Sequence, residues 1–122
     1  QTTYGLIDEA TAVVFIDSSL GYEALSRKKP TASFNIRGEV FDNFEGCKFG
    51  KPKKFPEKGP FWCNYLDVAV LENILNFVLN VTVQEWEKIY NEHAIGIAKY
   101  DEGNAKFKKI MKNLNLDLVR EN

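Results

Sequence analysis

The sequence predicts an α/β protein, in which a partial Rossmann-like βαβ unit is followed by a helical C-terminal half. Three observations predict it. The run Ala12-Val13-Val14-Phe15-Ile16 is continuously apolar and bounded by polar residues, as in a strand buried on both faces of a parallel sheet. A helical stretch follows at once, and then a second strand-like run, Thr31-Ala32-Ser33-Phe34-Asn35-Ile36. From Asp67 onward, apolar residues recur at helical spacing. Strand, helix and strand with short connections make two parallel neighbours joined by a right-handed crossover.

Taken in order, Thr3 to Ala10 reads as a short helix end, and Ala12–Ile16 as the first strand. Asp17-Ser18-Ser19 supplies cap residues, because their short oxygens accept from the free N–H groups of a first helical turn. Leu20 to Lys29 continues in helical register until Pro30, which cannot donate to the helix ladder. Thr31–Ile36 is the second strand. Between Arg37 and Phe61, seven glycines and prolines (Gly38, Gly46, Gly50, Pro52, Pro56, Gly59, Pro60) break any periodicity, so the segment reads as a long ordered loop or flap. Its Lys51, Lys53, Lys54 and Lys58 form a solvated basic surface that could attract an anion.

The next helix spans Asp67 to Leu79, with Val70, Leu71, Ile74, Leu75 and Val78 on the core-facing stripe. Thr82-Val83-Gln84-Glu85 is a capping box, opening a helix with Trp86, Ile89, Tyr90 and His93 on one face. His93 there reads as a packed structural histidine rather than a base. A last helix is expected after Asp101, burying Phe107, Ile110, Met111 and Leu114 and stopping at Asn115.

Composition narrows the function classes. A chain of 122 residues with 44% hydrophobic and 27% charged residues suits one globular domain. Sixteen Lys and Arg against seventeen Asp and Glu leave a net charge of -1, which gives a nucleic-acid surface no electrostatic support. The most apolar stretch, Val68 to Val81, is interrupted by Glu72, Asn73, Asn76 and Asn80, and falls short of the roughly 20 apolar residues a bilayer span needs. The opening residues lack the basic-then-apolar pattern of a secretory signal, so a cytoplasmic location is expected. Cys47 and Cys63 have neither CxxC spacing nor a nearby histidine, so reduced thiols, no metal and no cofactor are expected.

The stretch that carries chemistry is Asp17-Ser18-Ser19-Leu20-Gly21-Tyr22-Glu23-Ala24-Leu25, where a strand hands over to a helix. At the carboxyl end of a parallel strand the next helix points its unpaired N–H groups into the crevice where α/β folds bind ligands. Ser18 and Ser19 add hydroxyls, Leu20 continues the same turn, and Gly21 lacks a side chain that would block an anion. Glu23, one turn after Ser19, suits a pair of ribose hydroxyls. Arg37, just beyond the second strand, could balance phosphate charge in the same crevice. Asp17 would cap the helix or orient the serines. The same serines also serve as plain helix caps, and Trp62 serves either as a ligand-stacking ring or as an aromatic anchor for the loop.

Ser18 to Pro30 resembles the nucleotide-sugar motif in the C-terminal domain of GT-B glycosyltransferases, an architecture shared with UDP-N-acetylglucosamine 2-epimerases. In those families a Ser/Gly-rich turn leads into Glu-Ala-x-x-x-Gly-x-Pro. Glu23, Ala24 and Pro30 match at the same spacing, and Lys28 stands where the motif has Gly. The segment Ser19–Leu25 followed by Phe34-Asn35-Ile36-Arg37, with Gly59-Pro60-Phe61-Trp62 and Tyr100-Asp101-Glu102-Gly103-Asn104, is most similar to bacterial capsule and lipopolysaccharide biosynthesis transferases.

The resemblance implies a nucleoside diphosphate sugar as ligand, its phosphates at Ser18, Ser19, Leu20 and Gly21, its ribose at Glu23, and Arg37 nearby. It further implies that residues 1–122 are one domain, the C-terminal fragment of a two-domain enzyme with an N-terminal acceptor domain elsewhere, and inactive in sugar transfer alone. Residues 1–37 would be the βαβ donor unit, 38–62 the loop and 63–122 the helices. Two parallel strands leave unpaired edges, so self-association, or cover from the Arg37–Phe61 loop, is also expected. A sugar-nucleotide epimerase relative and a non-catalytic protein-interaction module are the competing functions.

Overall fold

Strand β1 (Val13–Phe15) is short, and its alternate residues diverge: Phe15 is buried whereas Val14 is half-exposed. The computed structural model describes residues 2–16, 18–39, 45–51, 53–98 and 105–114. Asp17, Asp101 and Asn115, assigned capping or terminating roles above, lie outside the described residues, as does the 100–104 segment. Helix α1 (Thr3–Glu9) precedes β1, with the Thr2 hydroxyl accepting from Gly5 N–H at 3.0 Å. Helix α2 (Ser19–Ser26) then crosses to β2 (Thr31–Phe34), which pairs parallel to β1 with Val13 opposite Thr31 and Phe15 opposite Ser33.

A third strand, β3 (Trp62–Cys63), joins β2 in parallel, so the sheet order is β1-β2-β3. The sequence reading missed it, since two residues within a Gly/Pro-rich segment have no measurable period. Ser33 N–H donates to Phe61 O at 2.9 Å and Asn35 N–H to Cys63 O at 2.8 Å. The loop does cover this side of the sheet: Lys58 bridges antiparallel to Cys63, and Asn64 N–H donates to Glu57 O at 2.8 Å.

The same loop supplies the centre of the core. Phe49 is almost fully buried and stacks on Trp62 with ring centroids 4.6 Å apart, while Phe55 and Phe61 approach it edge-on at 5.2 Å each. Tyr22 of α2 stacks on its far side at 6.1 Å. Trp62 is thus an anchor, as one of the two readings had it. At the carboxyl ends of the strands, Asn35 and Asn64 are both buried. With its nitrogen facing the two carbonyls, the Asn35 amide donates to Ile16 O at 2.9 Å and Cys47 O at 3.2 Å, and its oxygen accepts from Ser33 Oγ at 3.0 Å and Phe49 N–H at 3.3 Å, while Phe49 N–H also donates to Asn64 Oδ1 at 3.0 Å.

Helix α3 (Val68–Asn80) lies against β2 and β3, capped by Asp67, whose Oδ1 accepts from Val70 N–H at 3.3 Å. Helix α4 (Val83–Ile89) opens on the expected capping residue, with Thr82 Oγ1 accepting from Glu85 N–H at 3.1 Å and donating to Glu85 Oε1 at 2.8 Å. It runs into a π-helical turn, Tyr90–Ala94, that buries Tyr90 and Ala94. His93 packs its ring 5.3 Å from Trp62. Helix α5 (Ala105–Asn113) has no buried residue, so the expectation that Phe107, Ile110, Met111 and Leu114 are buried is corrected: Phe107, Ile110 and Leu114 are exposed and Met111 is only partly buried.

Helix α2 ends in a Schellman motif. Lys28 N–H donates to Leu25 O at 2.9 Å and Lys29 N–H to Ala24 O at 3.0 Å, which requires the left-handed conformation at Lys28 (φ 58°). This is the position where the resembled motif has glycine. Lys28 also reaches α4, with Nζ 3.5 Å from Glu87 and 5.7 Å from the Tyr90 ring centroid. A side chain in this conformation carries strain that glycine lacks. Lys28→Gly is therefore expected to be more stable than Lys28→Ala by about 1 kcal/mol in thermal or denaturant unfolding, since both variants lose the α4 contacts and only the alanine keeps the strain.

Candidate functional site

The handover from β1 to α2 lies at the carboxyl end of the sheet. Ser18 is extended (φ -135°, ψ 138°) and caps α2, its hydroxyl accepting from Leu20 N–H at 3.1 Å while Gly21 N–H donates to Ser18 O at 3.1 Å. Ser18, Ser19 and Leu20 are exposed. Two hydroxyls and the positive end of an eight-residue helix therefore face solvent together.

Gly21 has a packing task within the fold. It is buried, and a Cβ built on it would lie 2.0 Å from Phe15 Cγ. The missing side chain makes room for the Phe15 ring, letting α2 lie directly on β1. Tyr22 completes the contact, edge-on to Phe15 at 5.4 Å.

Glu23 is not a simple exposed carboxylate. Arg27, one turn later, donates from Nε to Glu23 Oε1 at 2.9 Å, and its Nη1 contacts both Asp8 carboxylate oxygens of α1 at 3.0 and 3.1 Å. Glu23 first, and Asp8 after it, raise the Arg27 pKa against the opposing effect of desolvation. The guanidinium also sits 5.0 Å from the Tyr4 ring centroid. The Glu23–Arg27–Asp8 chain ties α1 to α2 and orients the Glu23 carboxylate. The sequence signal for it was present in the i,i+4 spacing of Glu23 and Arg27.

Arg37 is exposed on a 3-10 turn, Ile36–Glu39, directly after Asn35. Because the Asn35 amide reaches Ile16 O, the ends of β2 and β1 lie side by side, and Arg37 shares the sheet end with Ser18. The basic loop gathers differently. Lys53 Nζ donates to Gly96 O at 2.9 Å and Lys48 pairs with Glu57 at 2.9 Å, so these side chains tie the loop down.

One feature of the site escaped sequence reasoning. A groove of about 690 Å³ runs from α1 across β1 to Ser18, Leu20 and Gly21. Val14 and Ile16 in its floor are 48% and 46% exposed, so the strand read as buried on both faces is buried on one. β1 is the sheet's edge, and the alternating exposure of an edge strand cannot be seen in a run whose residues are all apolar. Cys47 and Cys63 are buried free thiols, and burial pushes the Cys63 pKa up, so the thiol form predominates at neutral pH. Among the described residues no cluster of three His, Cys, Asp or Glu side chains is placed to hold a metal, and no helix is long and apolar enough to cross a membrane.

Residues 1–115 match the family described as "putative O-antigen biosynthesis protein", and the chain belongs to that family. No curated protein and no solved structure matches it.

The packing of Gly21 makes its substitution a test of the fold rather than of ligand approach. Gly21→Ala is expected to lower stability by about 1–3 kcal/mol through overpacking against Phe15, and Gly21→Val by more. Ser19→Ala, at an exposed position, is expected to stay within about 0.5 kcal/mol of the parent protein in the same unfolding measurement.

Proposed function

We propose that this member of the O-antigen biosynthesis family is the donor-binding part of a glycosyltransferase acting in surface-polysaccharide assembly, and that the start of α2 receives a nucleoside diphosphate sugar. The observation that carries the reading is the placement of Ser18 and Ser19. They stand at the N-terminus of α2, at the carboxyl end of β1, where the groove ends. Diphosphate oxygens would accept from the serine hydroxyls and helix N–H groups. Glu23 would accept from the ribose hydroxyls, since a carboxylate with one oxygen engaged by Arg27 retains acceptor capacity. Arg37, at the same sheet end, would offset phosphate charge. A groove of this size is within the range of about 300–1,000 Å³ that holds small molecules. The left-handed backbone at Lys28, where the resembled motif has glycine, supports the same reading.

A second reading rests on the same groove. Its floor is mostly apolar, which also suits a protein segment laid beside β1. In that case the chain is a non-catalytic interaction module.

Titration of the 15N-labelled chain with UDP, CDP, GDP and ADP separates the two. Resonances of Ser18 to Glu23 are expected to move with at least one of them, and less with the corresponding nucleoside. Ser19→Ala and Glu23→Gln are each expected to weaken that binding by roughly tenfold, the equivalent of one charge-assisted hydrogen bond. Silent Ser18–Glu23 resonances with all four nucleotides would discard the donor-site reading in favour of the module.

A further inference from the structure

Strand β1 forms an edge of the sheet. The order β1-β2-β3 pairs it on one side, where Val13 N–H donates to Pro30 O at 2.9 Å. In a parallel ladder, residues that bond one neighbour alternate with residues that turn the other way. Val13 and Phe15 serve β2, so the N–H and C=O of Val14 point out of the sheet. The Val14 and Ile16 side chains on this edge are half-exposed. Helix α1 forms the facing wall of the same groove, presenting Thr3, Leu6 and Ala10 at i, i+3 and i+7. The residues that usually guard an edge are missing from β1, which contains neither lysine nor proline.

We propose that β1 is the seam of a two-fold dimer, in which a second copy of this chain lays its own β1 antiparallel beside the first and continues the sheet through both. Self-complementarity decides the occupant, because a two-fold contact sets one patch against itself. With the axis at Val14, its N–H and C=O bond those of the same residue in the copy, and Ile16 faces the copy's Ala12. A one-residue slip would instead offer Val13 or Phe15, whose backbone groups already serve β2. The helical wall repeats the symmetry. Thr3 and Ala10 flank Leu6, so two antiparallel copies of α1 set Leu6 beside Leu6 and the small Thr3 against the small Ala10. The described residues that line the groove are uncharged, so two copies meet there without opposing like charges. A strand from an unrelated protein would satisfy the edge of β1 alone, whereas the copy also covers α1. This commits the groove of the second reading to a second copy. Ser19 and Glu23 are not among the described residues that line it, so the nucleotide reading is judged by its own titration.

The test is sedimentation velocity of the full chain over a concentration series, in which the mass is expected to rise from one chain to two. Val14→Lys and, separately, Leu6→Lys are each expected to weaken the dimer by roughly tenfold or more, since each sets a charge against its copy at the axis. Both variants are expected to keep the near-ultraviolet circular dichroism of the buried Trp62 and Trp86, because Val14 and Leu6 are exposed. Val14→Cys reads the register directly. At the axis the two Cα atoms stand about 5.5 Å apart, within disulfide reach, so mild oxidation is expected to link the two chains. Val83→Cys, on the exposed start of α4, is expected to stay unlinked, and the native Cys47 and Cys63 are buried. A chain that is monomeric at every concentration would overturn the proposal and leave the edge to a strand of another protein. A dimer that both lysine variants leave intact, or equal cross-linking of Val14→Cys and Val83→Cys, would overturn it as well.

Discussion

Three strand ends and one loop meet at the buried side chain of Asn35. Its amide spans Ile16 O after β1 and Cys47 O in the following segment, Ser33 Oγ lies at 3.0 Å, and Phe49 N–H links it to Asn64 Oδ1 after β3. The Ser33, Asn35 and Asn64 side chains are buried, and leaving a buried polar group without a partner costs about 1–3 kcal/mol. The network is therefore satisfied only when all of these segments are in place together. It also places Phe49, whose N–H lies 3.3 Å from the Asn35 amide oxygen, at the middle of the aromatic core. The turn from β1 into α2 follows directly from the carbonyl that Asn35 holds, so the candidate site rests on this amide.

How much of this was legible in the sequence depended on element length. The first two strands and α1 to α4 could be read because each has enough residues for a period, a cap or a stop: Ser18 and Thr82 cap where cap residues were expected, and Asp67, read as the first residue of its helix, caps it. β3 could not be read, because its two residues gain their strand identity only from pairing with β2. The role of Phe49 was hidden for a related reason. It reaches the core from a segment without periodicity, through ring contacts with residues distant in the chain. For α5 the period was right and the inference from it too narrow: an apolar stripe states that a helix has two faces, not that the protein itself covers one of them.

The site shows a similar division. Ser18 and Ser19 stand where the strand-to-helix pattern puts them, since that pattern determines which groups face out of the sheet's carboxyl end. Gly21 and Glu23 serve the fold besides whatever they offer a ligand. One admits Phe15 beneath α2, and the other fastens α2 to α1 through Arg27 and Asp8. Such double use follows from the architecture. A helix that presents its N-terminus at a fixed point must be held along its length, and in an eight-residue helix the holding residues are the same ones that lie near the site.

Lys28 shows what is retained when a motif residue changes. Glycine at a helix C-cap is a means to a backbone shape, the left-handed turn that lets Lys29 N–H reach Ala24 O and aims the chain into β2. The lysine adopts that shape at a steric cost, and its ammonium reaches across to Glu87 and the Tyr90 ring on the element packed against α2. An exposed ion pair recovers little of the cost by itself. The larger constraint is geometric: β1 and β2 are parallel and adjacent, α2 must cross between them, and Val13 N–H must meet Pro30 O at 2.9 Å. A right-handed continuation at residue 28 would carry the chain on around the helix and forfeit that pairing. The conformation is imposed by the sheet, and the residue that occupies it is tolerated.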